Sequence, residues 1–185
     1  MRFGFRKTFA VAALAAVAAT VLSGAPASAA TRFAADGTRA GLTAGQVGWL
    51  QGEVNRYLAR TSGQQTGLNV VKTATGAEFR AALPGEAHPR NLSATAASGP
   101  CDGGTAPGYL CVYSGPHGTG SQIAMYTCGG IDLPNWNGYG SWGDNQTPGT
   151  VTYFYTQYYG IADKFTAKSN NQNYNWTPVW HIDPC

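Results

Sequence analysis

The chain has 185 residues, 11% of them charged and 12% aromatic, with 25 Gly and four Cys. Its formal charge of +3 matches the three cations Arg2, Arg6 and Lys7 at the N-terminus, so the remainder is neutral. That balance excludes the broad basic surface by which a protein holds nucleic acid or an anionic membrane.

"MRFGFRK" is a basic opening, "TFAVAALAAVAATVL" an apolar run, and "APASAA" a small-residue stretch with Ala27 and Ala29 at A-x-A spacing. This is the order of a secretory signal peptide, and the apolar run is short for a bilayer span. The expectation is a signal over residues 1–29, cleavage after Ala29 or Ala30, and a mature protein free outside the cell.

Residues 30–100 are read as an accessory or pro-region. They carry seven Lys and Arg against four Asp and Glu. "LTAGQVGWLQGEVNRYLARTSG" places Val47, Leu50, Val54, Tyr57 and Leu58 on one face of a helix. Thr43 and Gln46 have the T-x-x-Q spacing of a capping box, and Gly63 is expected to stop the helix. Gly48 and Gly52 weaken it by about 1 kcal/mol each relative to Ala. A hairpin follows, "GLNVVKT" turning through "ATG" into "AEFRAAL", with Phe79, Ala81 and Leu83 on one face. One helix and one hairpin bury little surface alone. The stretch is therefore either a removable pro-segment leaning on the next region or a subdomain that is kept. "NLSATAASGP" reads as a linker or processing site.

Residues 101–185 form a second region with two Lys, five Asp and fifteen aromatic residues. All four cysteines lie here. In an exported chain an even number implies disulfides, with three pairings open. Cys101 and Cys111 flank the short loop "DGGTAPGYL", which suits a local bridge and leaves Cys128 for Cys185. The chain-entropy model gives such bridges about 3 and about 4 kcal/mol. Tyr113 and Tyr153 each precede a glycine by seven residues (Gly120 and Gly160), and Asn-Trp occurs at 135–136 and 175–176. All these features recur at an offset of 40, the mark of a duplicated unit. Helical periodicity is absent. The predicted class is all-β, an antiparallel sandwich of two four-stranded Greek keys.

Catalytic chemistry finds little here. Cys111 and His117 are the one sequence-local thiol–imidazole pair, and an even cysteine count argues against a free thiolate. His88, His117 and His181 lack zinc-ligand spacing, so no metal is assigned. No cofactor motif occurs. The expectation is a non-enzyme with no cofactor. Exposed aromatics offer binding instead. Trp136, Tyr139 and Trp142 lie in a Gly-rich stretch, and Tyr155, Tyr158 and Tyr159 near the second turn, where rings can stack on sugars or fill a partner's pocket. The competing reading makes most of them core, since the region is poor in aliphatics.

The stretch Tyr153, Tyr158, Gly160 fits the Y-x(4)-[aromatic]-x-G folded hairpin of βγ-crystallin Greek keys. The first copy has Gly118 where an aromatic is usual. "GYLCVYSGPHGTGSQIAMYTCG" followed by "LPNWNGYGSWGDNQTPGT" resembles secreted bacterial proteins of the Streptomyces-type metalloproteinase inhibitor family, over roughly residues 101–185. The resemblance implies a βγ-crystallin-like fold and an inhibitor-like protein that binds a secreted protease through a rigid loop. Leu133 to Gly143, holding Trp136, Tyr139 and Trp142, is the first candidate loop, and Ser114 to Gly120 the second. A carbohydrate or cell-envelope binding module using the exposed aromatics is the alternative. Crystallin-type domains often bind calcium through [ND]-[ND]-x-x-[ST]-S. The nearest stretch here begins at Asn137 and matches only there and at Ser141, without a carboxylate, so it reads as a turn whose Asn and Ser serve the backbone.

Overall fold

The computed structural model describes residues 29–92 and 99–185. The expected signal peptide, apart from its last residue, and most of the expected linker lie outside the described residues. The first described elements are helices α1 (Ala29–Arg39) and α2 (Ala44–Leu58). Thr43 caps α2 as its spacing predicts. Its hydroxyl accepts from the Gln46 N–H at 3.3 Å, and Gln46 Oε1 accepts from the Thr43 N–H at 2.9 Å. Leu50, Val54 and Tyr57 are buried, with Val47 and Leu58 packed partly against the same core. The helix ends at Leu58 rather than at Gly63, which instead opens a strand. A side chain at Gly63 would press on the Lys72 carbonyl.

Eleven strands follow among the described residues: β1 (Gly63–Gly67), β2 (Val70–Thr73), β3 (Glu78–Arg80), β4 (Leu110–Tyr113), β5 (Gln122–Met125), β6 (Ile131–Asp132), β7 (Tyr139–Asp144), β8 (Val151–Tyr155), β9 (Ile161–Thr166), β10 (Ser169–Asn175) and β11 (His181–Asp183). The expected hairpin is β2–β3. Strand β1 is an addition, a polar edge strand "GQQTG" with no apolar alternation to announce it. All pairings are antiparallel. One sheet runs β1-β2-β3-β5-β4-β7-β10 and the other β6-β11-β8-β9. The molecule is thus mostly β, built on two antiparallel sheets with two helices beside them.

The boundary near residue 100 is not a sheet boundary. Strand β3 pairs with β5, Phe79 opposite Ile123, so the first region extends the second region's sheet. Side chains reinforce the join. Arg80 bonds Glu78 and lies 3.8 Å from Asp102, and the buried Gln122 donates to Asp102 at 2.7 Å. Ser121 Oγ accepts from the Ala82 N–H at 3.0 Å. Beneath them Tyr57 stacks on Phe79 at 4.4 Å.

The cysteines pair Cys101 with Cys111 and Cys128 with Cys185, with Cα separations of 5.7 and 5.2 Å. Between the sheets lies an aromatic core. Phe154 is buried within 6.1 Å of the Trp142, Phe165, Tyr174 and Trp176 rings. The Trp176 indole N–H donates to the Tyr113 carbonyl at 2.8 Å, and only glycine fits at position 140, where a Cβ would strike both groups.

Two stability predictions follow from this packing. A fragment of residues 99–185 leaves the β5 edge unpaired and uncovers the surface under Phe79. It is expected to melt about 10 °C or more below the full chain, or to self-associate, in calorimetry and size-exclusion runs. An unchanged melting temperature would show that the β3–β5 join contributes nothing.

Asp144 supplies the second. Burial holds its carboxyl above the ordinary value, although the Gln146 N–H and the Thr152 hydroxyl both bond to it. The folded state therefore binds this proton more tightly than the unfolded chain does. Its contribution is present at low pH and lost as pH rises through the raised folded value. Asp144→Asn should raise the melting temperature at pH 7 and lose that advantage near pH 3. Equal effects at both pH values would contradict the assignment.

Candidate functional site

The two halves of the second region each end in a clamp on their own hairpin. In the first half β4 and β5 are joined by residues 114–121. The turn is closed by Ser114 N–H to Ser121 O and Gly115 N–H to Thr119 O, both 2.8 Å. Ser141 on β7 holds it from beside β4, accepting from the Gly118 N–H and donating to the Gly115 carbonyl, both at 2.8 Å. This use of Ser141, with Asn137 Nδ2 bonded to the Asn135 carbonyl at 3.2 Å, is the backbone service expected of that stretch. His117 sits exposed at the tip with a left-handed φ of 56°.

The second hairpin joins β8 to β9 through residues 156–160. The Thr156 N–H donates to the Gly160 carbonyl at 2.8 Å, and the Tyr159 N–H to the Thr156 carbonyl at 3.0 Å. Tyr159 is left-handed, φ 59°, a conformation costing a side-chain-bearing residue on the order of 1 kcal/mol. What holds it is His181. Position 181 is 40 residues beyond Ser141 and likewise lies on the strand beside its hairpin's first strand, but two residues along in register: Ser141 pairs with Tyr113, whereas His181 pairs with Tyr155 and Asp183 with Tyr153. Its ring stacks on Tyr159 with centroids 4.1 Å apart and planes 6° apart. Its Nδ1 bonds Asp132 Oδ1 on β6. Two unlike side chains thus perform one task, each from the strand beside its own hairpin.

The second hairpin presents the larger apolar tip. Tyr158 is 86% exposed, Tyr159 68% and Ile161 60%. Tyr153 and Tyr155 continue the surface along the outer face of β8, their rings 6.0 Å apart and 14° from parallel. Beside them a cleft of about 420 Å³ is bounded by Asp132, Tyr155, Tyr159, His181 and Asp183.

The first candidate loop is not assembled as one surface. Trp142 is a strand residue, buried and stacked on Phe165 with centroids 3.6 Å apart, and so is unavailable to a partner. Trp136 is half-buried against Trp176 at 5.9 Å. Tyr139 alone of the three is well exposed. Of the residues at this surface, Tyr155, Tyr158 and Tyr159 are expected from the sequence, and Asp132, His181 and Ile161 are not. The offset of 40, carried from Ser141 to position 181, was the signal that could have found the histidine.

Among the described residues no group of three His, Cys, Asp or Glu stands where it could hold a metal ion, and no cysteine is free. None of the described helices is long and apolar enough to cross a membrane. Comparison with family models, with curated proteins and with solved structures gave no match.

The clamps should act locally. Replacing His181 with Ala is expected to speed amide exchange at Tyr159 about tenfold or more while leaving Thr119 protected, and Ser141→Ala should do the reverse. Equal loosening of both hairpins by either variant would refute the pairing of clamp with hairpin.

Proposed function

We propose that this chain is a secreted, non-catalytic inhibitor-like protein that binds an extracellular protease through a rigid loop, and that the loop is the 156–160 hairpin. The observation that carries the reading is the pre-organised tyrosine tip. A loop already fixed by two backbone bonds and the Tyr159–His181 stack loses little conformational entropy on binding. Exposed tyrosines are among the residue types that dominate interface energies.

Strand order supports the Greek-key part of the proposal. In a Greek key the fourth strand lies beside the first, followed by the second. The order β7-β4-β5 has that form in one sheet and β11-β8-β9 in the other. The third strand of each half, β6 or β10, joins the opposite sheet beside the other half's fourth strand. The same exchange in both halves supports a duplicated, crystallin-like unit. Two disulfides suit an oxidising compartment and so favour export.

A second reading is a glycan-binding module, favoured by the near-parallel Tyr153 and Tyr155 rings on an outer sheet face with Asp183 beside Tyr153 across the strands. Titration of the full chain against secreted metallo-, serine and cysteine proteases separates the two. Stoichiometric inhibition of at least one is expected. Failure across the panel, combined with retention on insoluble glycans that is lost on Tyr153→Ala, would transfer the function to the second reading.

A further inference from the structure

We infer, resting on the inhibitor reading above, that Tyr158 is the residue the partner recognises, and that the partner is an endopeptidase whose specificity pocket is apolar and uncharged. Tyr158 sits third in the hydrogen-bonded turn from Thr156 to Tyr159. It is the most exposed of the large hydrophobic side chains among the described residues, and its ring has no aromatic partner there. Its neighbour is the opposite case. Tyr159 faces Tyr155 at 6.3 Å and lies flat on His181, which Asp132 holds in turn. One tyrosine is spent on fixing the turn, and the other is left standing from it.

The chemistry of the tip selects the pocket. From Thr156 to Ile161 the segment reads Thr-Gln-Tyr-Tyr-Gly-Ile, without a charged side chain. A pocket built around a carboxylate, which takes Lys or Arg, would be left with an unpaired buried charge if a phenol entered it. A pocket lined by apolar groups takes the ring and leaves its hydroxyl at the mouth or bonded within. The carboxylates of Asp132 and Asp183 lie on β6 and β11 rather than on the tip, and Asp132 is bonded to His181.

Backbone shape adds a further consequence. Proteases bind the scissile segment as an extended strand, paired along their cleft in the manner of strand addition. The 158–159 peptide lies in a turn with Tyr159 left-handed, so it cannot take that extended form without breaking the Tyr159 N–H to Thr156 bond and the His181 stack. The tip therefore fills a pocket without offering its peptide bond for cleavage.

The test uses the full chain and a panel in which proteases with apolar pockets are matched against proteases with acidic pockets. Wild type is expected to inhibit members of the first group and to remain uncut between residues 156 and 161 after prolonged incubation. Tyr158→Ala should weaken inhibition about 30-fold or more, and Tyr158→Phe should keep it within about threefold. Tyr158→Arg should lose the first group and gain affinity for the second. Since Tyr158 has no ring partner, unchanged melting temperatures will show that these variants fold. Inhibition by wild type that survives Tyr158→Ala would overturn the assignment of Tyr158 while leaving the inhibitor reading intact. Inhibition confined to acidic-pocket proteases would overturn the pocket class. Absence of inhibition by wild type across the whole panel would remove both this inference and the reading beneath it.

Discussion

Phe154 is where the two sheets are held together. It projects inward from the middle of β8 and meets Trp142 and Tyr174 from the opposite sheet, with Phe165 and Trp176 closing around it. Aromatic pairs in such edge-to-face contacts contribute about 0.5–1.5 kcal/mol each beyond the area they bury. The second region contains few Leu or Ile to do this by bulk alone, so its sandwich depends on ring geometry. Ring geometry in turn demands close backbone approach, which explains Gly140 beneath the Trp176–Tyr113 bond.

Once the sheets are fixed, the position of the tyrosine tip follows from a short chain of causes. Cys128 lies just before β6 and Cys185 just after β11. Their bridge ties the outer ends of two short strands that pair in only two rows, His181 opposite Asp132 and Ile182 opposite Ile131. So short a pairing specifies its register weakly by itself, and a slip of one residue would turn His181 inward and Ile182 out to solvent. The buried Ile182 and the bridge oppose that slip together. Correct register puts the imidazole against Asp132, and the imidazole then holds Tyr159 in its left-handed conformation. A covalent bond far from the tip in sequence thereby sets the tip's shape.

Much of this was legible from residues because it depends on local patterns. The capping box at Thr43, the buried face of α2, the Phe79 face of the hairpin that follows it and the local Cys101–Cys111 bridge each follow from spacing. What was not legible depends on partners distant in sequence. "GYGSWGD" reads as a loop, because glycine is usually a turn residue. Here Gly140 and Gly143 are strand positions that leave room for Trp176 and Thr105, and Trp142 between them enters the core. "GQQTG" and "SNNQNYN" lack apolar alternation because both lie at the edges of the long sheet and are mostly exposed, Tyr174 of the second being the side chain that turns to the aromatic core. The candidate site moved from Leu133–Gly143 to the 156–160 hairpin for the same reason. Burial of an aromatic residue is decided by what packs over it, and composition does not carry that information.

The two hairpins are held by different clamps, and so are unequal in what they offer. A clamp from the neighbouring strand satisfies the first turn with a hydroxyl, which bonds two backbone groups and occupies almost no surface. That solution suits a tip made of Gly, Pro, His and Thr, where nothing apolar needs support. The second tip carries two tyrosines, and a hydroxyl could not hold a ring in place. A flat imidazole can, because it offers a face for stacking and a nitrogen for the Asp132 carboxylate. Each clamp is therefore matched to its own tip, a serine hydroxyl to small residues and a histidine ring to tyrosine. An aromatic tip used only for packing would have been folded under. Here the fold supports one ring from below and leaves the next exposed, an arrangement that costs apolar surface in water and returns nothing to stability.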